Sequence, residues 1–496
     1  MSRAGTAALV VAALALMATD LLDGGAMDRV ADRLGDEAVL TLAAFDAVAG
    51  EPVVGPYSRF GWRHPGPILG HQLALGLRLS GGQIGFLPWW VAAWSVGWLA
   101  LAVGLMARER SPWRRAGWLL ALLLSLASLR VAAGGTILTM IWNPLVAIAP
   151  FALLYALAWR RRTGPWAAPL IVLLHAYLVQ SHVGYLAIAS LVAGVALTKV
   201  ARGARSQPRR RVAIAAGASL GVAAAAWWTT FADPSNLAAI GEFFMEGGHE
   251  VPAPAAALLL AARRTQGPLL APFGGGTDDL ALGLLAAQAL ILLAHTGQRI
   301  GRRSGVPLSV CLLSLGGLAI AIGSAFGVDR EINLHQSHWL EIVGPMAWLG
   351  ALWPLTTRRF RPVGWPLVAG LAIFVVVGSI RTGVARREAV LAEVTPYAGR
   401  PERLTDLLEP YFAEGPVQLR IREADHDVWG MAAAVAVRSA ERGRAIALEP
   451  RFDFMFGAHR TRCAGCRSIW LSRDPPEGWR VLAETDGFSL MEPSDP

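Results

Sequence analysis

The sequence predicts an all-α polytopic membrane bundle of about 11 transmembrane helices with a C-terminal extracytoplasmic α/β domain. Three observations lead to this prediction. Of the 496 residues, 54% are hydrophobic and 16% charged, and the mean hydropathy is +0.44, a value that soluble proteins of this size rarely reach. Apolar runs recur at lengths close to the roughly 20 residues that span a bilayer. After residue 383 the composition changes to that of a separate α/β domain.

The apolar runs determine the number of predicted spans. Eleven runs are long enough, near residues 5–22, 84–107, 116–133, 139–159, 166–180, 182–198, 211–231, 278–296, 306–327, 338–356 and 363–382. The runs at 166–180 and 182–198 are short and closely spaced, which leaves open a tilted, re-entrant or merged helix. The first run resembles a secretory signal peptide, but ten further spans follow it, so we interpret it as a transmembrane helix.

Arginine accumulates in every second connection between the predicted spans. The basic clusters lie at 108–115, 160–162, 199–211, 299–303 and 358–361. The positive-inside rule makes these connections cytoplasmic. It predicts a multi-pass plasma-membrane protein with a cytoplasmic N-terminus, and with the long first loop (23–83), the loop 232–277 and the C-terminal segment outside. The net charge of +9 and the pI near 10.2 then reflect orientation in the bilayer, which argues against nucleic-acid binding.

The chain divides into a transmembrane domain, residues 1–383, and an extracytoplasmic α/β domain, residues 384–496. In the second domain an amphipathic run predicts a helix at Val428–Arg442. Short β-like runs predict strands at Val417–Leu419, Ser468–Leu471 and Phe488–Met491. A domain of this size ordinarily folds independently.

The chain has three cysteines. Cys311 lies in an apolar span, where a small packing residue is the simplest interpretation. Cys463 and Cys466 form a C-x-x-C motif in the external domain, where oxidation is permitted, so we expect a local disulfide. Two alternatives are weaker. A metal site with His459 would need a fourth ligand, and a thioredoxin-like redox pair would lie at a helix N-terminus after a strand.

The first external loop has a density of carboxylates that the rest of the membrane portion lacks. These are Asp20, Asp23, Asp28, Asp32, Asp36, Glu37, Asp46 and Glu51. Asp36 and Glu37 stand out because they open a helix-like run, Ala38–Ala49, which would hold both groups at a helix start. A carboxylate beside an apolar wall at the bilayer surface can serve as a proton acceptor. A solvated acidic loop is the alternative interpretation.

A polar segment follows between two strongly apolar stretches. Its candidate binding residues are Tyr57, Arg59, Trp62, Arg63 and His64. The aromatic rings suit stacking on a sugar, although anchoring at the membrane interface explains them equally well. Other polar side chains at the predicted external ends of spans are His182, Arg330, His335 and His338. Ionisable groups at membrane depth are functional candidates, while hydrogen-bonded packing is the alternative for any single histidine.

Carboxylates beside arginines and histidines at a lipid surface suit one class of ligand, a lipid phosphate that carries a sugar. Arginine binds phosphate oxygens bidentately, and a carboxylate can take the proton of an attacking hydroxyl. The sequence therefore predicts glycosyl transfer.

Five stretches carry a resemblance to a known family. They are GDEAVLTLAAFDAVAGEPVVGPYSRFGWRHPGP (35–67), IWNPLVAIAPF (141–151), QSHVGYLAIASLV (180–192), HQSHWLEIVGP (335–345) and FMFGAHR (454–460). On these stretches the chain resembles the GT-C superfamily of polytopic glycosyltransferases, which use polyprenyl-phosphate-linked sugars, and in particular a group of actinobacterial membrane proteins. The family places an essential acidic residue in the first external loop, where Asp36 is the best match and Glu37 its neighbour. Where the relatives have a second acidic residue, this chain has Thr41.

The resemblance implies direct displacement at the anomeric carbon, with inversion and with Asp36 as the general base. Arg59, Arg63 or His64 would bind the departing lipid phosphate, whose charge grows in the transition state. The side chains implied to line the sugar or phosphate pocket are His182, His335 and His338.

The resemblance also implies partners. The donor would be a polyprenyl-phosphate-linked sugar and the acceptor a cell-envelope glycan or lipid. A divalent cation, Mg or Mn, often aids such enzymes, and the carboxylates permit one without requiring it. Of the 45 basic residues, 44 are arginine, which is typical of a high-G+C genome and agrees with an actinobacterial source.

Two other classes of function are consistent with the sequence. A lipid or glycolipid transporter or flippase would share the hydropathy, but it usually shows paired broken helices in related halves, and no inverted repeat is visible. A non-catalytic envelope-assembly scaffold would accommodate Thr41. A transferase is expected to place Asp36 within a few ångströms of Arg59 or Arg63, across a cavity open to the outer leaflet.

Overall fold

The computed structural model describes residues 10–11, 13–22, 34–58, 60–132, 137–231, 233–246, 252–270, 278–300, 306–327, 338–353, 398–422, 426–485 and 487–494, with the single residues 370, 377 and 388. Most of these residues are helical, and a small sheet lies near the C-terminal end.

The membrane portion is built from helices. In chain order they are α1 (Ala13–Leu22), α2 (Gly35–Ala49), α3 (Ile68–Ser80), α4 (Leu87–Ala107), α5 (Pro112–Ala132), α6 (Asn143–Val146), α7 (Ile148–Trp159), α8 (Ala167–Ser181), α9 (Leu186–Ala204), α10 (Arg209–Phe231), α11 (Pro234–Glu246), α12 (Pro254–Leu270), α13 (Asp278–Ile300), α14 (Leu308–Cys311), α15 (Gly317–Phe326) and α16 (Leu340–Ala351).

These helices match the predicted spans from 84–107 to 338–356, and the span at 5–22 is described as a helix from residue 10 onward, except for residue 12. By length and composition, five helical segments within the described ranges are apolar and long enough to cross a membrane: Ile84–Ala107, Val183–Ala204, Arg209–Phe231, Asp278–Ile300 and Leu308–Phe326. The predicted span at 363–382 lies outside the described residues, apart from residues 370 and 377. The predicted count of eleven therefore stays a prediction, whereas the two short runs at 166–198 are separate helices.

Helix α7 lies at the centre of the bundle, since every one of its residues is buried. Its Tyr155 donates a hydrogen bond over 3.3 Å to the carbonyl of Leu313. Leu313 lies in a π-helical turn, Leu312–Gly316, between α14 and α15. A π turn disturbs the regular carbonyl pairing of a helix, so a buried donor from a neighbouring helix helps to satisfy the local backbone.

The predicted external loop 232–277 is not a simple exposed connection. It contains α12, whose Thr265 and Gln266 are fully buried and which packs against α5, α13, α15 and α16. Gln266 donates to Gln288 of α13 over 3.0 Å, and Gln288 donates to the carbonyl of Gly344 over 3.1 Å. These side-chain amides bind one another, which explains how polar residues are tolerated inside an apolar bundle.

The C-terminal domain is a five-stranded mixed sheet with helices. Its elements are α17 (Arg400–Glu414), β1 (Val417–Ile421), α18 (His426–Glu441), β2 (Ile446–Leu448), α19 (Asp453–Phe456), α20 (Ala458–Thr461), β3 (Arg467–Ser472), β4 (Trp479–Thr485) and β5 (Phe488–Pro493). The strand order is β2-β1-β3-β5-β4, with β1 parallel to β2 and β3, and β5 antiparallel to β3 and β4. The predicted helix and three strands are confirmed, while α17, β2 and β4 were missed.

A shared apolar core joins this domain to the first loop. Buried side chains of α2 and α3 pack in one cluster with those of α18 and the sheet, including Leu42, Leu73, Val435 and Leu471. The C-terminal domain therefore covers the loop that carries the predicted catalytic acid.

Gly344 allows α16 to approach α12 closely, because a Cβ atom at this position would overlap the carbonyl of Thr265. We expect Gly344→Ala to lower the stability of the purified protein by about 1–3 kcal/mol, the usual cost of overpacking. Thermal unfolding in detergent checks this. The matched control is Gly283→Ala in α13, where a Cβ would meet nothing within 4 Å. An unfolding temperature for Gly344→Ala equal to that of the control would contradict the expectation.

Candidate active site

Helix α2 begins at the predicted acidic pair. Gly35 has a φ of 54°, which turns the chain from the extended Leu34 into the helix, and Asp36 and Glu37 occupy the first turn. Negative charge is favoured there by the helix dipole and by backbone N–H groups without helical partners. A Cβ at Gly430 of α18 would lie 3.1 Å from the Gly35 nitrogen, so the C-terminal domain contacts the head of α2.

Both carboxylate oxygens of Asp36 accept hydrogen bonds from aromatic side chains. The hydroxyl of Tyr57 donates to Oδ1, and Nε1 of Trp142 donates to Oδ2 over 2.9 Å. Burial, together with the charge of Asp36, raises the pKa of Tyr57 above its ordinary value, so the phenol stays protonated and continues to donate. Each carboxylate oxygen has a second acceptor site, so Asp36 can still receive a substrate hydroxyl.

Glu37 has a different partner. Its Oε1 accepts a hydrogen bond from the backbone N–H of Ile141 over 3.3 Å. Thr41, where the resemblance led us to expect a second acidic residue, is fully buried and donates over 2.7 Å to the carbonyl of Glu37. The Thr41 hydroxyl therefore continues the α2 hydrogen-bonding pattern and adds no charge to the site.

The short segment Ile141–Trp142–Asn143 connects these carboxylates to the next helices. Ile141 binds Glu37, Trp142 binds Asp36, and Asn143 donates over 3.0 Å to the carbonyl of Ser181 at the end of α8. This stretch carries part of the family resemblance, but the sequence did not indicate a role for Trp142, because 106 positions separate it from Asp36.

A second group of predicted residues gathers around His64 and His182. Their ring centroids are 4.5 Å apart, and Trp62 meets His64 edge-on at 5.4 Å. Nδ1 of His64 accepts from Val183 N over 3.1 Å, and Nδ1 of His182 accepts from Gly184 N over 3.2 Å. Since an accepting nitrogen carries no proton, each ring holds its proton on Nε2. In this arrangement the Nε2–H group is the donor of each ring, and the cationic role predicted for His64 stays a prediction.

The two aromatic residues predicted to stack on a sugar are packed inside the protein. Trp62 is 5% exposed and lies among Phe60, Phe243 and Phe244. Tyr57 contacts Trp429 and Phe454 of the C-terminal domain edge-on, at 5.8 and 6.4 Å. Their rings join the loop to α11 and to the C-terminal domain.

Arg63 binds the C-terminal domain. Its Nε donates to the carbonyl of Phe454 over 2.8 Å, and its Nη2 donates to that of Asp453 over 2.7 Å. Its backbone N–H and carbonyl pair with the Asn236 side chain at 2.7 and 2.9 Å. Burial lowers the pKa of Arg63, with an opposing effect from the carboxylates of Asp233 and Asp453.

The expected proximity of Asp36 to Arg63 is not realised as an ion pair among the described residues. Tyr57 pairs with Arg63 in an antiparallel β-bridge, and it is the Tyr57 hydroxyl that contacts Asp36. Phosphate binding by Arg63 stays a prediction.

The far end of α2 is fixed to the same domain. Nε and Nη2 of Arg460 contact Oδ1 of Asp46 at 2.7 and 2.6 Å, and Nε2 of His459 lies 3.1 Å from Oδ2. The FMFGAHR stretch thus contacts the first loop at both of its ends, Phe454 at Arg63 and Arg460 at Asp46. Docking of the domain explains this motif without a catalytic role.

His338 lies close to the Asp36 group. Its ring is 6.2 Å from that of Trp142 and nearly perpendicular to it. Three residues later, Glu341 is 2% exposed and accepts hydrogen bonds from Nη1 of Arg264 over 2.6 Å and from Oγ of Ser128 over 2.5 Å. Sequence reasoning missed Glu341 and Arg264. The available signal was a carboxylate inside a predicted span.

Three predicted site residues lie outside the residues that the structure describes. They are Arg59, Arg330 and His335. Their placement near Asp36 stays a prediction.

Cys463 and Cys466 are joined by a disulfide with their Cα atoms 5.7 Å apart, and Cys311 is buried with a free thiol. Within the described ranges, no group of three or more His, Cys, Asp or Glu side chains is arranged to hold a metal ion. Use of Mg or Mn, which the carboxylates permit without requiring it, therefore has no ready ligand set among these residues and stays a prediction.

Two crystal structures of ArnT from Cupriavidus metallidurans are similar to this chain, one bound to undecaprenyl phosphate and one in the apo state. The TM-scores are 0.57 and 0.58, and each similarity covers 97% of this chain and 97% of ArnT. This chain has the ArnT fold. At identities of 13% and 12%, the likeness to ArnT concerns the fold alone. No family model and no curated protein matches the sequence.

The contacts of Arg63 generate a prediction about docking of the C-terminal domain. We expect Arg63→Ala to expose the backbone of α19, because the carbonyls of Asp453 and Phe454 lose a charged donor. Hydrogen–deuterium exchange of peptides over residues 450–460 measures this, and exchange is expected to rise. Arg462→Ala, which alters an exposed arginine of the same domain, is the control. Equal exchange in both variants would show that Arg63 does not fasten the domain.

Proposed function

We propose that this protein is a membrane glycosyltransferase that moves a sugar from a polyprenyl-phosphate donor to a cell-envelope acceptor on the outer face of the plasma membrane. The observation that carries the proposal is the carboxylate of Asp36, fixed at the head of α2 by Tyr57 and Trp142. The fold supports the donor class, because one ArnT structure of this fold holds undecaprenyl phosphate. It also agrees with the GT-C resemblance of the sequence.

The proposed reaction is a single displacement. Asp36 accepts the proton of an acceptor hydroxyl while that oxygen bonds to the anomeric carbon of the donor sugar. The bond between the anomeric carbon and the phosphate oxygen breaks, and its electron pair leaves with the polyprenyl phosphate. Attack opposite to the leaving group inverts the anomeric centre.

The environment of Asp36 suits a general base. Tyr57 and Trp142 hold both oxygens by one hydrogen bond each, so the carboxylate cannot rotate freely and its remaining acceptor positions have fixed directions. Such preorganisation lowers the barrier because the base needs no reorientation when the acceptor arrives. Glu37 supports the arrangement indirectly, since it ties the Trp142 segment to α2 through Ile141.

The departing phosphate needs donors on the opposite side of the sugar. The described candidates are the Nε2–H groups that we assign to His64 and His182. From the sequence, Arg59, Arg330 and His335 are proposed as the cationic partners. The proposal also retains the predicted orientation, with the N-terminus inside and the C-terminal domain outside.

We expect Asp36→Asn to reduce sugar transfer by at least about 10²–10⁴-fold, the range that a general base contributes. The amide has nearly the same shape, so expression and unfolding temperature should stay close to those of the unmodified protein. The assay incubates purified protein with a panel of radiolabelled polyprenyl-phosphate sugars and resolves the products by acceptor.

The matched control is Glu51→Gln, which neutralises an exposed carboxylate just beyond the other end of α2. This variant should retain full transfer. Retained turnover in purified Asp36→Asn protein would remove Asp36 from its proposed role. A complete absence of transfer from every donor by the unmodified protein would instead favour a transporter or a scaffold.

A further inference from the structure

The neighbourhood of Asp36 contains a buried charged group that the proposed mechanism does not use. Glu341 of α16 is held by Arg264 of α12 and Ser128 of α5 at 2.6 and 2.5 Å. The side chains of Glu341 and Arg264 are 2% and 11% exposed. Three helices thus converge on one carboxylate inside the bundle.

An arrangement of this kind needs a reason beyond stability. Removing two charges from water is costly, and their mutual attraction often fails to compensate for that loss. Buried ionisable groups in membrane proteins consequently tend to be retained for function. The pairing of Glu341 with Arg264 also depends on a specific feature of the fold. The close crossing of α12 and α16 requires Gly344, three residues after Glu341.

Glu341 faces the active site through His338. Nδ1 of His338 lies 3.7 Å from Oε1 of Glu341, a distance suited to an ion pair but longer than a hydrogen bond. Within the described part of the chain this buried nitrogen has no hydrogen-bond partner. A small rotation of the ring would bring it into direct contact with the carboxylate.

His338 in turn lies beside the catalytic group. Its ring is 6.2 Å from the Trp142 ring, whose Nε1 donates to Asp36. A carboxylate on Nδ1 fixes the orientation of an imidazole and directs its Nε2 outward. An imidazole N–H donor near the displacement site suits the phosphate that leaves the sugar.

We propose that Glu341 is a positioning residue that orients His338 to bind the phosphate of the polyprenyl carrier. The inference rests on the proposed transferase function, because it assigns the leaving-group site of that reaction. In this assignment Glu341 acts only through His338, and Arg264 and Ser128 hold the carboxylate in place.

The test measures binding separately from chemistry. Binding of a polyprenyl phosphate that carries no sugar is compared with binding of the corresponding polyprenyl alcohol. We expect Glu341→Gln and His338→Gln each to weaken binding of the phosphate by about tenfold, the loss of one charge-assisted hydrogen bond, with unchanged binding of the alcohol. The double variant Glu341→Gln/His338→Gln should bind the phosphate no more weakly than His338→Gln alone, because Glu341 and His338 act as one unit.

Two further variants keep the test decisive. Glu341→Gln combined with Arg264→Gln removes both charges at once, so it avoids a lone buried arginine if the single variant fails to fold. Asp278→Asn is the matched control. It breaks an exposed ion pair, at 2.7 Å, between Asp278 of α13 and Arg263, the neighbour of Arg264 in α12, and it should leave phosphate binding unchanged.

Three results would overturn the assignment. The losses of phosphate binding in Glu341→Gln and His338→Gln could be additive, or the variants could lose phosphate and alcohol binding equally. The third is unchanged phosphate binding in Glu341→Gln/Arg264→Gln. Asp36→Asn separates this outcome from failure of the proposed function. If Asp36→Asn loses transfer but still binds polyprenyl phosphate, the transferase function stands whatever the result at Glu341.

Discussion

The site depends on the two hydrogen bonds that hold the carboxylate of Asp36. They come from segments far apart in the chain, Tyr57 of the first loop and Trp142 before α6. A carboxylate at a helix start is ordinarily solvated and free to rotate. Here two aromatic donors fix it at the junction of the helical bundle, the first loop and the C-terminal domain, and this constraint gives the acid a defined direction in which to act.

The C-terminal domain maintains that constraint. It contacts α2 at its head through Gly430, and it binds Asp46 near the end of the helix through Arg460 and His459. It also receives Arg63 of the loop. Partly buried charge-assisted hydrogen bonds of this kind are each stronger than neutral ones. The domain therefore holds in place the loop that carries the proposed catalytic acid.

Much of this architecture follows from local patterns in the sequence. Apolar runs located the described spans because burial in lipid requires continuous hydrophobicity, and the start of α2 at the acidic pair was predicted from its helix-like run. Helix α12 was missed as a packed element because its buried Thr265 and Gln266 are polar. Gln266 pairs with Gln288 and Trp348 of other helices, and Thr265 donates to the carbonyl of Ala261. Partners on distant helices cannot be recognised from the order of the chain.

The same reasoning explains the outcome at the site. Asp36 could be singled out by its position before an apolar helix, whereas Trp142, Arg264 and Glu341 become recognisable only once helices distant in sequence meet. Arg63 and Trp62 are residue types typical of a ligand site, and the fold gives them contacts in docking and packing that the sequence did not indicate. Ligand binding by either residue stays a prediction. A residue's chemistry indicates what it can bind, and its tertiary neighbours decide what it does bind.

The most direct test of the account is a cryo-electron microscopy structure of the protein with a bound polyprenyl phosphate. The account predicts that the phosphate lies next to Asp36, within hydrogen-bond reach of His338, with the Asp36 carboxylate still held by Tyr57 and Trp142. A phosphate bound at the opposite face of the membrane, or one separated from Asp36 by packed protein, would contradict it.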